Sequence, residues 1–175
     1  HSFPTRRSSD LRQIWNMNEL TTDEAICSWG DPGIPEYNFN TWDASHGMIT
    51  CEYYRLLFGI TMANSFLTQT ADETDAETVK MRAEVRFLRA LYYYYAIDFF
   101  GNVPFVTTVS SENAPQASRA EVYSFIESEL NDCVNDMAEP KQNTYGRADK
   151  AAAWLLLSRL YLNAQVYTGT PQWAK

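Results

Sequence analysis

The chain has 175 residues, 45% hydrophobic and 21% charged, with 7 glycines and 7 prolines; this suits about one globular domain and excludes collagen-like, low-complexity and disordered classes. Fourteen Lys and Arg against 22 Asp and Glu leave a net charge of −8, the wrong sign for a phosphate backbone, so no nucleic-acid partner is expected. His1 and His46 are the only histidines, which leaves little material for a Ser/His/Asp triad or an imidazole-rich zinc site, and neither a metal nor a cofactor is expected.

The opening segment His1–Leu11, HSFPTRRSSDL, is polar and basic, unlike the rest of the chain. Back-translated, it resembles a short-read sequencing adaptor, so residues 1–11 are expected to be non-native and are set aside from fold reasoning. Residues 12–46 show weak order, with a helical turn expected around Thr22–Ile26 and then a loop rich in Gly, Pro, Asn and aromatics, SWGDPGIPEYNFNTWD. Ile49, Tyr53, Leu56, Ile60, Ala63 and Leu67 recur at alternating spacings of four and three, which predicts a helix over 48–68. Ala83, Phe87, Ala90, Tyr94 and Ile97 predict another over 75–100, with acidic residues at its positive end and Gly101 and Pro104 stopping it. The run Tyr92–Tyr95 points in four directions around that helix, which reads as packing between helices.

A long loop spans 102–117, in which Val103–Val109 has the β-branched character of a short strand. Ser118 and Glu121 have capping-box spacing and open a helix over 119–137. The last helix, over 150–166, is apolar nearly all round and is expected at the centre of the core, with Leu156 and Leu160 among the most buried positions. No strict repeat period appears, but helix pairs joined by turns define an all-α class: an irregular solenoid of antiparallel helix pairs, tetratricopeptide-like, with a loop-rich N-terminal segment. Cys27, Cys51 and Cys133 have no CxxC spacing and read as free thiols. No apolar run reaches the roughly 18 residues of a membrane span.

Three blocks carry a resemblance. AEVRFLRALYYYYAIDFFGNVPF at 83–105, RAEVYSFIESEL at 119–130 and YGRADKAAAWLLLSRLYLNA at 145–164 resemble successive signature blocks of the SusD/RagB family of outer-membrane glycan-binding lipoproteins. YYRLLFGITMANSFL at 53–67 and ELTTDEAICSWGD at 19–31 are similar to the family's preceding regions. The resemblance implies a non-enzymatic surface protein that captures oligosaccharides or peptides, anchored through a lipidated cysteine. It implies a TonB-dependent, SusC-like outer-membrane transporter as partner, an oligosaccharide ligand, and a cell outer-membrane location. It also implies that 12–175 is part of a single helical domain truncated at its C-terminal side. The helix pairs alone would equally permit a cytosolic tetratricopeptide-like adaptor holding a peptide.

Sugar recognition needs flat aromatic faces against the C–H side of a pyranose, with amides and carboxylates around its rim. The loop 28–43 supplies both, so Trp29, Tyr37, Asn38, Asn40 and Trp42 are the candidate ligand-binding residues, among Asp31, Glu36, Phe39 and Asp43. The same aromatics could instead fasten an irregular segment. Glu84, Arg86 and Arg89 are expected to form a partly buried ion network without catalytic partners, and Asn64 to satisfy backbone groups. The acidic stretch 72–77 lacks the spacing of a calcium loop and reads as helix capping.

Overall fold

The computed structural model describes residues 7–110 and 112–175, so most of the expected non-native segment 1–11 lies outside the described residues. The chain divides into two compact units, His1–Arg55 and Leu56–Lys175. Its described elements are helices α1 (Arg7–Glu19), α2 (Ile34–Asn38), α3 (Gly47–Gln69) and α4 (Ala76–Phe100), strands β1 (Val103–Pro104) and β2 (Gln116–Ala117), and helices α5 (Arg119–Cys133), α6 (Lys150–Leu162) and α7 (Ala164–Thr168). The division between the units falls within the residue range of α3. None of the described helices is long and apolar enough to cross a membrane.

The four predicted stripes are all helical, and their ends obey local chemistry. Asp75 accepts the Thr78 N–H at 3.0 Å to cap α4, and Gly101, at φ 74°, ends it. Ser118 and Glu121 form the capping box of α5, Ser118 N–H donating to Glu121 at 2.8 Å. Past Cys133 the chain tightens into a 3-10 turn, Val134–Asp136. The last predicted helix is two helices, because the chain breaks at Asn163, whose side-chain amide donates to the Arg159 carbonyl at 2.9 Å.

Three expectations are corrected. The helical turn at Thr22–Ile26 is a bend, and helix α1 precedes it. The strand expected over Val103–Val109 is only Val103–Pro104, paired antiparallel with Gln116–Ala117; the Phe105 N–H still reaches the Pro115 carbonyl at 3.0 Å, but beyond it the Val106 N–H and C=O are taken by side chains of Tyr93 and Asn64. Helix α6 is not surrounded: Ala153, Leu156, Leu157 and Leu160 are buried, Leu160 completely, while Trp154, Leu155 and Leu162 are exposed.

In Leu56–Lys175 the core is one continuous cluster. Ile60 of α3, Phe87, Tyr93 and Ile97 of α4, Val122, Ile126 and Leu130 of α5, and Leu156 and Leu160 of α6 all belong to it. Tyr93 and Tyr94 are buried, and Tyr93 meets Phe105 and Phe125 edge-on at 5.3 and 5.5 Å, the packing role read for the tyrosine run. A polar cluster lies inside this core. Arg89 pairs with Glu129 and donates to Asn64 Oδ1 at 2.8 Å and to the Thr107 carbonyl at 3.3 Å. Asn64 in turn donates to the Val106 carbonyl at 3.0 Å, and the Tyr93 hydroxyl both donates to and accepts from Val106. Arg86 joins at Glu129, 3.0 Å away. Glu84 belongs elsewhere: it holds the turn before α6 through Asn143 and Arg147, both at 2.8 Å. Residues from α3 and α4 thus fasten the backbone at 106–107, with Glu129 of α5 holding Arg89, and satisfy groups that burial would otherwise penalise.

The unit His1–Arg55 has a much smaller apolar centre. Among the described residues Leu20, Ile34 and Tyr37 are its fully buried hydrophobics, with Met17, Ala25, Cys27, Met48 and Ile49 packed against them. Among the described residues all three cysteines are free; Cys133 is buried, and burial pushes its thiol up to about 12, as for a small hydrophobe.

Candidate functional site

The candidate residues sit on the stretch between α1 and α3, whose course is set by a few fixed points. Gly33 adopts φ 96°, and an added Cβ there would meet the His46 ring at 2.9 Å, so the turn into α2 needs glycine. Pro35 lies in the first turn of α2, where its missing N–H costs nothing. His46 closes the stretch from the other side, its Nε2 3.1 Å from the Gly33 carbonyl and its Nδ1 accepting the Ile49 N–H at 3.4 Å. Asn38 brackets Cys27: its Oδ1 accepts the Cys27 N–H at 3.1 Å, and its Nδ2 donates to the Cys27 carbonyl at 2.7 Å. That pair of bonds ties together the two arms of the loop, so Trp29 lies two residues from the tie on one arm and Asn40 two residues from it on the other.

The five candidates divide. Trp29 is 64% exposed, and the Arg12 guanidinium carbon lies 5.2 Å from its ring centroid, a cation–π contact that covers one face of the indole. Arg12 also pairs with Asp31, so an aromatic face, a guanidinium and a carboxylate stand together. Trp42 is exposed along part of its ring and tilted against Tyr37 at 6.1 Å. Asn40 is exposed in the left-handed region at φ 54°, which asparagine tolerates. Tyr37 is corrected as a ligand face: it is 1% exposed, packs on Leu20 and Ile34, and lies 4.7 Å from the His46 ring. Burial, and then the charge of Glu52, push its hydroxyl up to about 12. Asn38 is corrected too, because its amide is committed to the Cys27 backbone and works as a clamp.

Of the other loop residues, Phe39 is exposed, and Asp43 accepts from both the Ser45 N–H and hydroxyl, at 2.8 and 2.6 Å, bonds that hold its carboxyl below the usual range. Arg12 is the residue that sequence reasoning missed. It lies on α1, and nothing in the sequence signals its pairing with a tryptophan 17 positions away.

Paired helices packed through one apolar cluster define a helical-hairpin scaffold, and the loop of the other unit exposes indole and amide groups. The model of a SusD-like family described as starch-binding and associating with the outer membrane matches residues 4–162, and the chain belongs to that family. The chain is 47% identical over 169 residues to the starch-binding protein SusD of Bacteroides thetaiotaomicron, an alignment covering 96% of this chain and 31% of that protein. A solved SusD superfamily protein from Parabacteroides distasonis superposes with a TM-score of 0.75 at 26% identity, covering 90% of this chain and 34% of the other. A laminarin-binding SusD-like protein shares the fold at a TM-score of 0.69 and 24% identity, over 93% of this chain and 40% of that one. The chain therefore spans about a third of the length of these proteins. The family carries a carbohydrate-binding, outer-membrane-associated role, and the cytosolic adaptor reading is not favoured by it.

Proposed function

We propose that the protein is a non-enzymatic subunit that captures oligosaccharides at the cell surface, lipid-anchored in its full-length form, and passes them to a TonB-dependent, SusC-like outer-membrane transporter. The loop between α1 and α3 is one wall of the capture site, with Trp29, Trp42 and Asn40 facing ligand and Tyr37 and Asn38 holding the wall in shape. The observation that carries this reading is Trp29, an indole two-thirds open to solvent with a cation fixed over one face and a carboxylate beside it. Its free face suits the C–H side of a pyranose, while Asp31 and Asn40 suit the hydroxyls at its rim. Binding alone neither makes nor breaks a covalent bond, so selection and hand-over need only affinity and release. The 47% identity to a starch-binding protein favours an α-glucan as the first ligand to try.

Calorimetric titration of the full-length polypeptide with maltoheptaose, laminarin oligosaccharides and an unrelated peptide library tests this. Saturable binding of a glucan, with none of the peptides, is the expected result; peptide binding with no glucan binding would overturn it.

A further inference from the structure

His46 is the residue before α3, and its buried imidazole makes three contacts at once. Nδ1 accepts the Ile49 N–H at 3.4 Å in the first turn of α3, Nε2 lies 3.1 Å from the Gly33 carbonyl, and the ring centroid stands 4.7 Å from that of Tyr37. Tyr37 in turn meets the indole of Trp42, at 6.1 Å between centroids and a tilt of 47°. The chain reversal after α2 brings Trp42 there: Asn40 takes φ 54°, and the Thr41 N–H donates to the Glu36 carbonyl at 2.9 Å. We propose, resting on the reading of this loop as a wall of the capture site, that His46 is a positioning residue for glycan binding. It holds the ring of Tyr37 and, through that ring, the angle at which Trp42 meets ligand.

Neither capping nor filling accounts for a histidine here. Ser, Asp or Asn caps the start of a helix better than an imidazole does. A leucine would extend the apolar centre of Leu20, Ile34 and Tyr37 without burying polar nitrogens. The imidazole does what neither can: it ties the first turn of α3 to the Gly33 turn and sets a ring against Tyr37. The fit is close on the Gly33 side, where a Cβ would stand 2.9 Å from the ring, so the ring cannot slide away from Tyr37 in that direction. Tyr37 is fixed in its turn by Leu20 and Ile34, whereas Trp42 is 39% exposed and leans on Tyr37. Stacking on a pyranose needs the aromatic face held at one angle, and such a face is held by the side chains packed behind it.

The test uses the full-length polypeptide carrying fluorine-labelled tryptophan, in which the Trp42 resonance is the one missing from Trp42→Phe. His46→Asn keeps a side-chain acceptor at the start of α3 and removes the ring. It is expected to move the Trp42 resonance and to weaken maltoheptaose by about three- to tenfold, less than the loss of an indole, with the melting temperature nearly unchanged. Tyr37→Leu should move the same resonance, whereas Tyr37→Phe, which keeps the ring, should alter neither the resonance nor the affinity. A Trp42 resonance unmoved in His46→Asn would overturn the proposal whatever the affinities. So would a moved resonance with unaltered affinity, or a melting temperature lowered by many degrees, which would confine His46 to holding the fold. An unsubstituted protein that binds no maltoheptaose is a separate result, read before any variant is compared; it would overturn the capture role of the loop, and the proposal with it.

Discussion

Among the described residues, buried side chains in Leu56–Lys175 run as a single cluster through α3, α4, α5 and α6, whereas in His1–Arg55 three side chains, Leu20, Ile34 and Tyr37, make up the buried apolar centre. The larger, helical unit is held by area: whole helix faces lose contact with water. The smaller unit is held by points, namely the Asn38 bracket on Cys27, the His46 ring against Gly33 and the Arg12–Asp31 pair. A loop held by points can leave large aromatics in solvent, and Trp29, Phe39 and Trp42 are left there. On the proposed function the two units divide the labour: substitutions in the helical unit are expected to act on stability and substitutions at the loop surface on ligand.

The largest effect expected from this division belongs to Leu160→Ala. Leu160 is fully buried at the meeting of α6 with the core, and truncating such a leucine costs about 2–5 kcal/mol through lost transfer energy and the cavity left behind. A urea midpoint unchanged by that substitution would contradict the core as described. A smaller effect, expected in both units, is read by pH. The ordinary tyrosine hydroxyl titrates near 10, and burial raises Tyr37 in the loop unit and Tyr123 in the helical unit to about 12. Between those values the unfolded chain loses the proton that the folded chain retains, so stability is fully present below about pH 10 and falls as pH rises toward 12. Tyr37→Phe should flatten that loss in chemical denaturation at pH 8 and pH 11, and it removes a buried hydroxyl that has no hydrogen-bond partner among the described residues. A pH dependence identical to that of the unsubstituted protein would show that Tyr37 is open to water.

The contrast between area and points also explains what could be read from the sequence. Ile60, Phe87, Ile126 and Leu160 fall on stripes of helical period, and such a period has one physical solution, a helix with that face buried. The cap Ser118 was legible for a related reason, because its bond reaches only three residues, and the acidic stretch 72–77 held the cap of α4 without singling out Asp75. The break at Asn163 was not, since the apolar pattern continues through it and the bonds that Asn163 makes to the Arg159 carbonyl, from backbone and side chain, leave no mark in that pattern. Helix α6 was misplaced because hydrophobicity all round states that a surface can be buried, not that a neighbour is present to bury it. In the loop, composition could nominate five residues but could not say which ring turns inward. The Gly33–Pro35 turn and the His46 contact send Tyr37 into the centre and leave Trp29 outside, and those are long-range consequences of one glycine's φ. Arg12 was illegible because its meaning lies in a contact with Trp29 that only the folded chain makes.

The measurement that bears most directly on this division of labour is Trp29→Ala in the full-length polypeptide, with affinity and melting temperature read on the same preparation. Losing an aromatic stacking face should cost about 1–3 kcal/mol, roughly ten- to a hundredfold in affinity for the glucan that binds the unsubstituted protein, with the melting temperature nearly unchanged. Unaltered affinity, or a melting temperature lowered by many degrees, would contradict it and make Trp29 part of the protein's own packing.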